Sequence, residues 1–468
     1  MGRESRGRPI RPVARKLGAL ALAGWLGCAL PVVAEPPPRL LVLILDSVPY
    51  ELVLRLTDSE RGEEALFQGF ERPVPLVSSF PSSSNIAITG MLEPLGVEPS
   101  PGYESRFFDV HRNRLRGGGL LTYQLIPFPW RDHFDWRFRS QIRRGFGDLD
   151  AAGTSKWEID AVMEAFLASE KELFFGYVAT TDKLAHFEGP EALSPVLEHL
   201  DRALKSAARE QPDRPFHTVI LSDHGTAGGK PLRNVLRPVQ RALGGAGYRT
   251  TSNLRMNRDV VFAPMGLVSS VQAFTRPGEE VAVARVLAGV AGVDLCAVPR
   301  QGSLRVISAR GEAVLLEVER AQQPGWAYRP LTGDPLAYIP VIAELRKRAG
   351  DSTAIWFPDD WWFEATHDHR YPDAPYRLRS GFDLTENPAS VICSLDDDSV
   401  FGPRLTELAA WIASGPLAWT HGALEREASL GVLITDSPAW RLPAAVRFDH
   451  ALLPLKAIPP GGTNERSP

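Results

Sequence analysis

The stretch Phe216-His217-Thr218-Val219-Ile220-Leu221-Ser222-Asp223-His224-Gly225 decides the fold. An apolar, β-branched run stops abruptly in Ser-Asp-His-Gly. Runs of this kind suit strands buried on both faces of a parallel sheet. Open α/β sheets place ligands just outside the carboxyl ends of their strands, which is where Asp223 and His224 fall. The plainer reading is a strand followed by a polar turn, with Asp223 as a helix cap. Matching pieces elsewhere in the chain weigh against it.

Working outward, Arg39-Leu40-Leu41-Val42-Leu43-Ile44-Leu45-Asp46 is a second apolar run that ends in an acid. Leu173-Phe174-Phe175-Gly176-Tyr177-Val178 is a third, leading to Asp182 and His186. Those two residues are four apart and share a face on a helical turn. Capping explains Asp46 equally well, and a solvated turn explains Asp182 and His186. In Ser78-Ser79-Phe80-Pro81-Ser82-Ser83-Ser84-Asn85-Ile86-Ala87-Ile88-Thr89-Gly90 a serine cluster precedes small and apolar residues, which reads as a helix start. Backbone N–H groups there suit an anion, and a hydroxyl there is a candidate nucleophile for a phosphoryl group. For most of these serines, capping or turn chemistry is enough. Helical periodicity over 157–170 and 192–210 alternates with strands ending near 46, 178 and 222. The expected fold class is α/β: a doubly wound, mainly parallel sheet flanked by helices.

Beyond His224 the pattern changes. A helix over 277–290 and short strands at 293–298 and 304–308 predict a smaller α+β insertion that caps the core. Residues 351–400 read as loop-rich, with Trp356, Trp361, Trp362, His367 and His369. Core packing is the default for these tryptophans, stacking on a base or ring the alternative. Helical pattern resumes at 405–413, then Thr420-His421-Gly422, then a last core strand at 430–435. The expected organisation is a core of 35–225 and 400–458, an insertion at 226–399, and a disordered Pro/Gly-rich tail at 459–468.

The 468 residues are 44% hydrophobic and 23% charged, enough for one large domain with an insertion or for two domains. A net charge of -4 gives no sign of nucleic-acid binding. Residues 1–34 stand apart. Arg3, Arg6, Arg8, Arg11, Arg15 and Lys16 form a basic region before the apolar run Leu17 to Ala34. This reads as a secretory signal peptide cleaved after Ala34, which implies a periplasmic or secreted protein. A retained membrane anchor is the alternative, weakened by Gly18, Gly24, Gly27 and Pro31. Trp25 sits badly in a lipoprotein pattern around Cys28. No later segment is apolar enough to span a membrane. Without its first 34 residues the chain carries 46 basic and 55 acidic side chains, a net charge of -9. Cys296 and Cys393 then remain, either paired in an oxidising compartment or both reduced and buried.

The acids and histidines at strand ends make two groups. Asp46, Asp223 and His224, with a serine hydroxyl, suit one cation. Asp182, His186 and a late histidine suit a second. Mixed Asp/His ligation favours Zn²⁺, with Mn²⁺ or Fe behind it. Two such ions roughly 3.5–4 Å apart can clamp the attacking and leaving oxygens of an in-line displacement.

Together these pieces resemble the alkaline phosphatase superfamily, especially its nucleotide pyrophosphatase/phosphodiesterase branch. The family's elements are matched in order by Leu45-Asp46, by a serine within Ser79 to Ser84, by Asp182, His186, Gly189 and Pro190, by Ser222 to Gly225, and by Thr420-His421-Gly422. The resemblance covers roughly 39–225 and 400–440. It implies metal ligands Asp46, Ser84, Asp182, His186, Asp223, His224 and His421, with Ser84 as nucleophile and Asn85 as a substrate-binding residue that donates a hydrogen bond to a phosphate oxygen. Ser84-Asn85 aligns with the Thr-Asn that opens the family helix, although its closing Thr-Gly then falls at Glu93-Pro94. Ser79-Phe80-Pro81 resembles the family's Thr-Phe-Pro but needs an extra helical residue, hence a bulge. Ser79 would also serve a sulfatase reading, which wants Arg where Ser83 stands. His367 and His369 rival His421, whose context fits better. The implied chemistry is hydrolysis of a small-molecule phosphoric mono- or diester through a phosphoseryl intermediate, with two divalent ions, Zn²⁺ ahead of Mn²⁺. The alternatives are a sulfatase, a phospho-group transferase, or a non-catalytic binding protein on the same fold.

Overall fold

The computed structural model describes residues 38–118, 128–138, 150–320 and 322–457. The segments expected to be a signal peptide and a disordered tail lie outside them. The described residues form one compact unit. Among the described residues, no helix is long and apolar enough to cross a membrane.

A seven-stranded sheet organises the site. Its spatial order is Val446–Arg447, Val74–Val77, Leu430–Thr435, Phe216–Ser222, Arg39–Leu45, Leu173–Val178 and Trp136–Arg137. Only Leu430–Thr435 runs against the others. The sheet is therefore mainly parallel, as expected, and the last core strand lies inside it rather than at an edge. Every residue of Arg39–Leu45 is buried, because this strand is paired on both sides and covered on both faces. Its side chains alternate between those faces. Leu41, Leu43 and Leu45 pack with Ile159, Val162, Phe166 and Leu200 of the helices Ala151–Ala168 and Ser194–Glu210. Leu40, Val42 and Ile44 pack with Ile88, Met91 and Leu92 of the helix Ser84–Leu92. A run of apolar residues without alternation is what such a two-sided burial requires.

A second, nine-stranded sheet is drawn from residues 249–395. Its neighbouring strands are antiparallel except Arg249–Thr251 beside Asp259–Phe262. Cys296 and Cys393 face each other on adjacent strands and form a disulfide. Trp326 and Trp362 lie in the core under this sheet. One expectation fails here. Residues 351–400 are not loop-rich: they hold the helices Asp359–Thr366 and Ala374–Asp383 and the strand Val391–Leu395. Both helices are short and begin with helix-start chemistry, Asp359 and Asp360 in one and Pro375 in the other. Two more helices also begin off their expected positions, at Ala151 and Glu280.

Candidate functional site

Strand register builds the site. Leu45 pairs with Val178 on one side and Ser222 on the other. Three neighbouring parallel strands thus end level, and the residues that follow them converge. Asp46 ends the middle strand, and its backbone N–H still donates to Val178 O at 3.0 Å. Asp223 and His224 follow the strand Phe216–Ser222. Asp182 and His186 stand on the helix Thr180–Glu188, which leaves the third strand. Gly225 lets the turn after His224 close: a Cβ there would meet Glu427 O at 2.3 Å.

The two remaining contributors arrive from further away. Ser84 is the first residue of the helix Ser84–Leu92. His421 follows the short strand Trp419–Thr420, which pairs with Ala227–Gly228 just past His224. That ladder carries a histidine from nearly two hundred residues downstream onto the His224 ring, with 4.0 Å between ring centres.

The resulting distances are short. Ser84 Oγ donates to Asp46 Oδ1 at 3.0 Å and lies 3.4 Å from His224 Nε2. His224 Nε2 is 3.5 Å from Asp46 Oδ1 and 3.4 Å from Asp223 Oδ2. His186 Nε2 and His421 Nε2 are 3.4 and 3.5 Å from the same oxygen, Asp182 Oδ1. Asp46, Asp223 and His224 offer ligand atoms within 4.8 Å of one another, and so do Asp182, His224 and His421. His186 joins the second set through Asp182. Asn85 sits beside Ser84, its Nδ2 turned to Tyr103 O at 3.5 Å. Ser79 lies elsewhere: it is fully buried and its hydroxyl donates to Pro81 O. His367 is tied to Glu364 O, and His369 packs on Tyr338; neither joins the cluster.

The hydrogen bonding of the imidazoles shows what the cluster can hold. His186 Nδ1 faces Trp419 O at 2.9 Å, His224 Nδ1 faces Gly225 O at 3.0 Å, and His421 Nδ1 faces Ser82 O at 2.8 Å. A carbonyl can only accept, so each Nδ1 carries the proton. In the neutral ring the Nε2 lone pair then points at a carboxylate oxygen. Burial holds His421 in that neutral form, its pKa pushed down to about 3. Asp182 Oδ1 and Asp223 Oδ2 are buried and accept no hydrogen bond. Lone pairs facing lone pairs repel unless a cation lies between them. The donor set therefore fits a divalent metal, and the carbonyl-anchored histidines are the arrangement that fixes ligand tautomers.

The carboxylates carry the same strain. Burial first, then Asp223 and Asp182, hold Asp46 well above the usual carboxylate range despite the hydroxyls of Tyr177 and Ser84. Burial also raises Asp223. A cation would relieve the upward shifts.

Several residues at the site have no motif of their own in the sequence. Tyr177 donates a short hydrogen bond to Asp46 Oδ2. Ser47 sits at a φ of 62°, gives its N–H to Asp223 Oδ1 at 3.2 Å, and shares a 2.7 Å hydroxyl contact with Thr226. Ser82 supplies the carbonyl that orients His421. The one available signal was position: Tyr177 and Ser47 flank the strand ends that carry ligand-type acids.

The arrangement is that of a hydroxyl beside an Asp/His cluster that could hold a cation, at the carboxyl edge of an α/β sheet. No family model matches the chain, and no curated protein matches it. Among solved structures, it is similar to phosphonoacetate hydrolase from Sinorhizobium meliloti 1021 in complex with phosphonoformate. That likeness has 12% identity over 90% of this chain and 97% of the other, with a TM-score of 0.46. It is similar as well to murine ectonucleotide pyrophosphatase/phosphodiesterase 5, at 11% identity, 90% and 94% coverage and a TM-score of 0.45.

Proposed function

We propose that the protein is a metal-dependent hydrolase of small phosphoric esters in which Ser84 is the nucleophile. The observation that carries the reading is the 3.0 Å contact from Ser84 Oγ to Asp46 Oδ1 inside a cluster of imidazoles anchored through Nδ1 and of unpartnered carboxylate oxygens. Asp46, Asp223 and His224 would hold one ion beside Ser84; Asp182, His186 and His421 would hold a second. Bound Zn²⁺ would supply Lewis acidity and lower the pKa of hydroxyl and water. The hydrogen bond to Asp46 Oδ1 orients Oγ, and the Ser84 proton leaves to solvent water. Oγ forms a bond to phosphorus while the ester oxygen opposite leaves with its electron pair. Water oxygen then bonds to phosphorus while Ser84 Oγ leaves with its electron pair and takes up a proton released by that water, which frees the product and restores the hydroxyl. The N–H groups of Ser84 and Asn85, ahead of the Ile86 and Ala87 N–H groups that donate to Ser83 O, open the helix Ser84–Leu92 and suit the phosphoryl oxygens, with the Asn85 side-chain amide beside them.

The residues 226–399 would cap this site and select the leaving group. The Cys296–Cys393 disulfide supports a secreted or periplasmic setting, in line with a cleaved segment at 1–34. Hydrolysis of p-nitrophenyl phosphate, bis-p-nitrophenyl phosphate and p-nitrophenyl sulfate, each with and without Zn²⁺ or Mn²⁺, tests the reading. Metal-dependent cleavage of a phosphate ester is the expected result. Cleavage of the sulfate alone would make the protein a sulfatase, and a protein that takes up no metal would be a non-catalytic relative.

A further inference from the structure

Arg377 is the most unusual side chain near the site. It comes from the helix Ala374–Asp383, outside the seven-stranded sheet, and is fully buried. Among the described residues its guanidinium makes no ion pair within 4 Å, and its Nε has no partner. A buried cation without a paired carboxylate is costly compared with an apolar side chain. Its remaining four N–H groups are spent on two segments and on its own helix entry. Nη2 donates to Ser79 O at 3.2 Å, Ser82 Oγ at 3.0 Å and Ser429 Oγ at 2.6 Å. Nη1 donates to Leu424 O at 3.0 Å and Pro372 O at 2.9 Å.

Those partners are the supports of two site residues. The segment 79–83 leads directly into Ser84. The segment 422–429 follows His421 directly. Ser82 joins them: its carbonyl accepts from His421 Nδ1 at 2.8 Å, and its hydroxyl donates to Ala423 O at 3.0 Å. Ser429 Oγ closes the far side of the loop by donating to Glu425 O. A planar fork with five donors can hold two chain segments in one geometry; a lysine, whose three donors share one nitrogen, holds them less firmly. We propose that Arg377 is a positioning residue that sets Ser84 and His421 relative to each other. The proposal rests on the reading of those two residues given under Proposed function.

The test compares wild type with Arg377→Met, Arg377→Lys and Ser82→Ala, all as the full chain. Three quantities are read: amide hydrogen exchange, Zn²⁺ affinity by competition with a chromophoric chelator, and kcat and KM on p-nitrophenyl phosphate and bis-p-nitrophenyl phosphate. In Arg377→Met, exchange rises in peptides covering 79–86 and 421–429 and stays at the wild-type level in the strands Arg39–Leu45 and Phe216–Ser222. Zn²⁺ affinity falls by about 10-fold or more, the range seen when a group orienting a ligand is lost. The value of kcat falls while KM stays within about two-fold, as expected when ground-state binding is preserved. Arg377→Lys and Ser82→Ala shift the same quantities less, and they decide the matter if Arg377→Met does not fold. A folded variant set with both segments and Zn²⁺ affinity unchanged overturns the proposal. So does exchange raised evenly across the whole chain, the mark of a general structural role. If wild type takes up no Zn²⁺ and cleaves neither ester, the function reading fails, and exchange in the two segments still decides the role of Arg377.

Discussion

His421 Nδ1 donates to the carbonyl of Ser82 at 2.8 Å, across 339 residues of sequence. This bond ties the last ligand-type histidine to the segment that delivers Ser84, so hydroxyl and imidazole are placed by one local geometry. It also fixes the His421 proton on Nδ1 and leaves Nε2 free toward Asp182. The consequences can be checked residue by residue.

Ser84→Ala and Ser79→Ala should differ in turnover. Losing the Ser84 hydroxyl removes the proposed nucleophile, so turnover should fall by at least about 10³-fold; it also leaves the buried Asp46 Oδ1 without that donor, at a cost on the order of 1 kcal/mol of stability. Ser79 donates within its own turn to Pro81 O. Its loss should cost on the order of 1 kcal/mol of stability and leave turnover within a few-fold. Steady-state kinetics and denaturant titration on both variants check this.

Tyr177→Phe removes the hydroxyl that donates to Asp46 Oδ2. The carboxylate oxygen is left buried, at a cost of about 1–3 kcal/mol. Because Asp46 is then held by one hydroxyl fewer, Zn²⁺ affinity should drop by about 10–100-fold. A chelator competition against wild type measures the drop; equal affinities would remove Tyr177 from the site's support.

In the metal-free protein, His421 should make stability depend on pH. Its folded pKa of about 3 lies below the ordinary 6.5, so between those values the unfolded chain binds a proton that the folded chain refuses. Stability from this group is complete above pH 6.5 and is lost as the pH falls toward 3. The slope is at most about 1.4 kcal/mol per pH unit, or about 2 kcal/mol between pH 6.5 and 5. Asp46 and Asp223, both raised, act in the other direction. The histidine's share is therefore read as the difference between wild type and His421→Gln in urea titrations at pH 7 and 5. The variant should lose less stability on acidification.

The Cys296–Cys393 disulfide closes a long loop, its ends 97 positions apart in sequence. Replacing both cysteines with alanine should lower stability by roughly 2–5 kcal/mol. Neither cysteine touches the Asp/His cluster, so kcat per folded molecule should be unchanged. Thermal unfolding and turnover measured on the same preparation separate the two effects.

Much of this architecture could be read from the chain because the signals are local. An apolar run with no alternation, ending in an acid, specifies a central parallel strand and the edge where ligand-type residues gather; Leu45-Asp46 and Ser222-Asp223-His224 do both within a few residues. Asp182 and His186 were visible as an i, i+4 pair on a helix. What escaped depends on distance or on short elements. The helices Asp359–Thr366 and Ala374–Asp383 have only 8 and 10 residues, too few for periodicity to outweigh the surrounding Pro, Asp and Trp. Arg377 contacts Ser79, 298 residues away, and nothing in its own neighbourhood announces that contact. Tyr177 looks like one more apolar strand residue until the register sets its hydroxyl against Asp46.

The most direct measurement is to locate the covalent intermediate. Zn²⁺-loaded protein is mixed with p-nitrophenyl phosphate or bis-p-nitrophenyl phosphate, quenched in acid during turnover, digested, and analysed by tandem mass spectrometry. The account predicts a phosphoryl group on Ser84 from the monoester, or an aryl phosphoryl group from the diester, in either case dependent on metal and absent from Ser84→Ala. Label on Ser79, or steady turnover with no labelled serine at all, would contradict it.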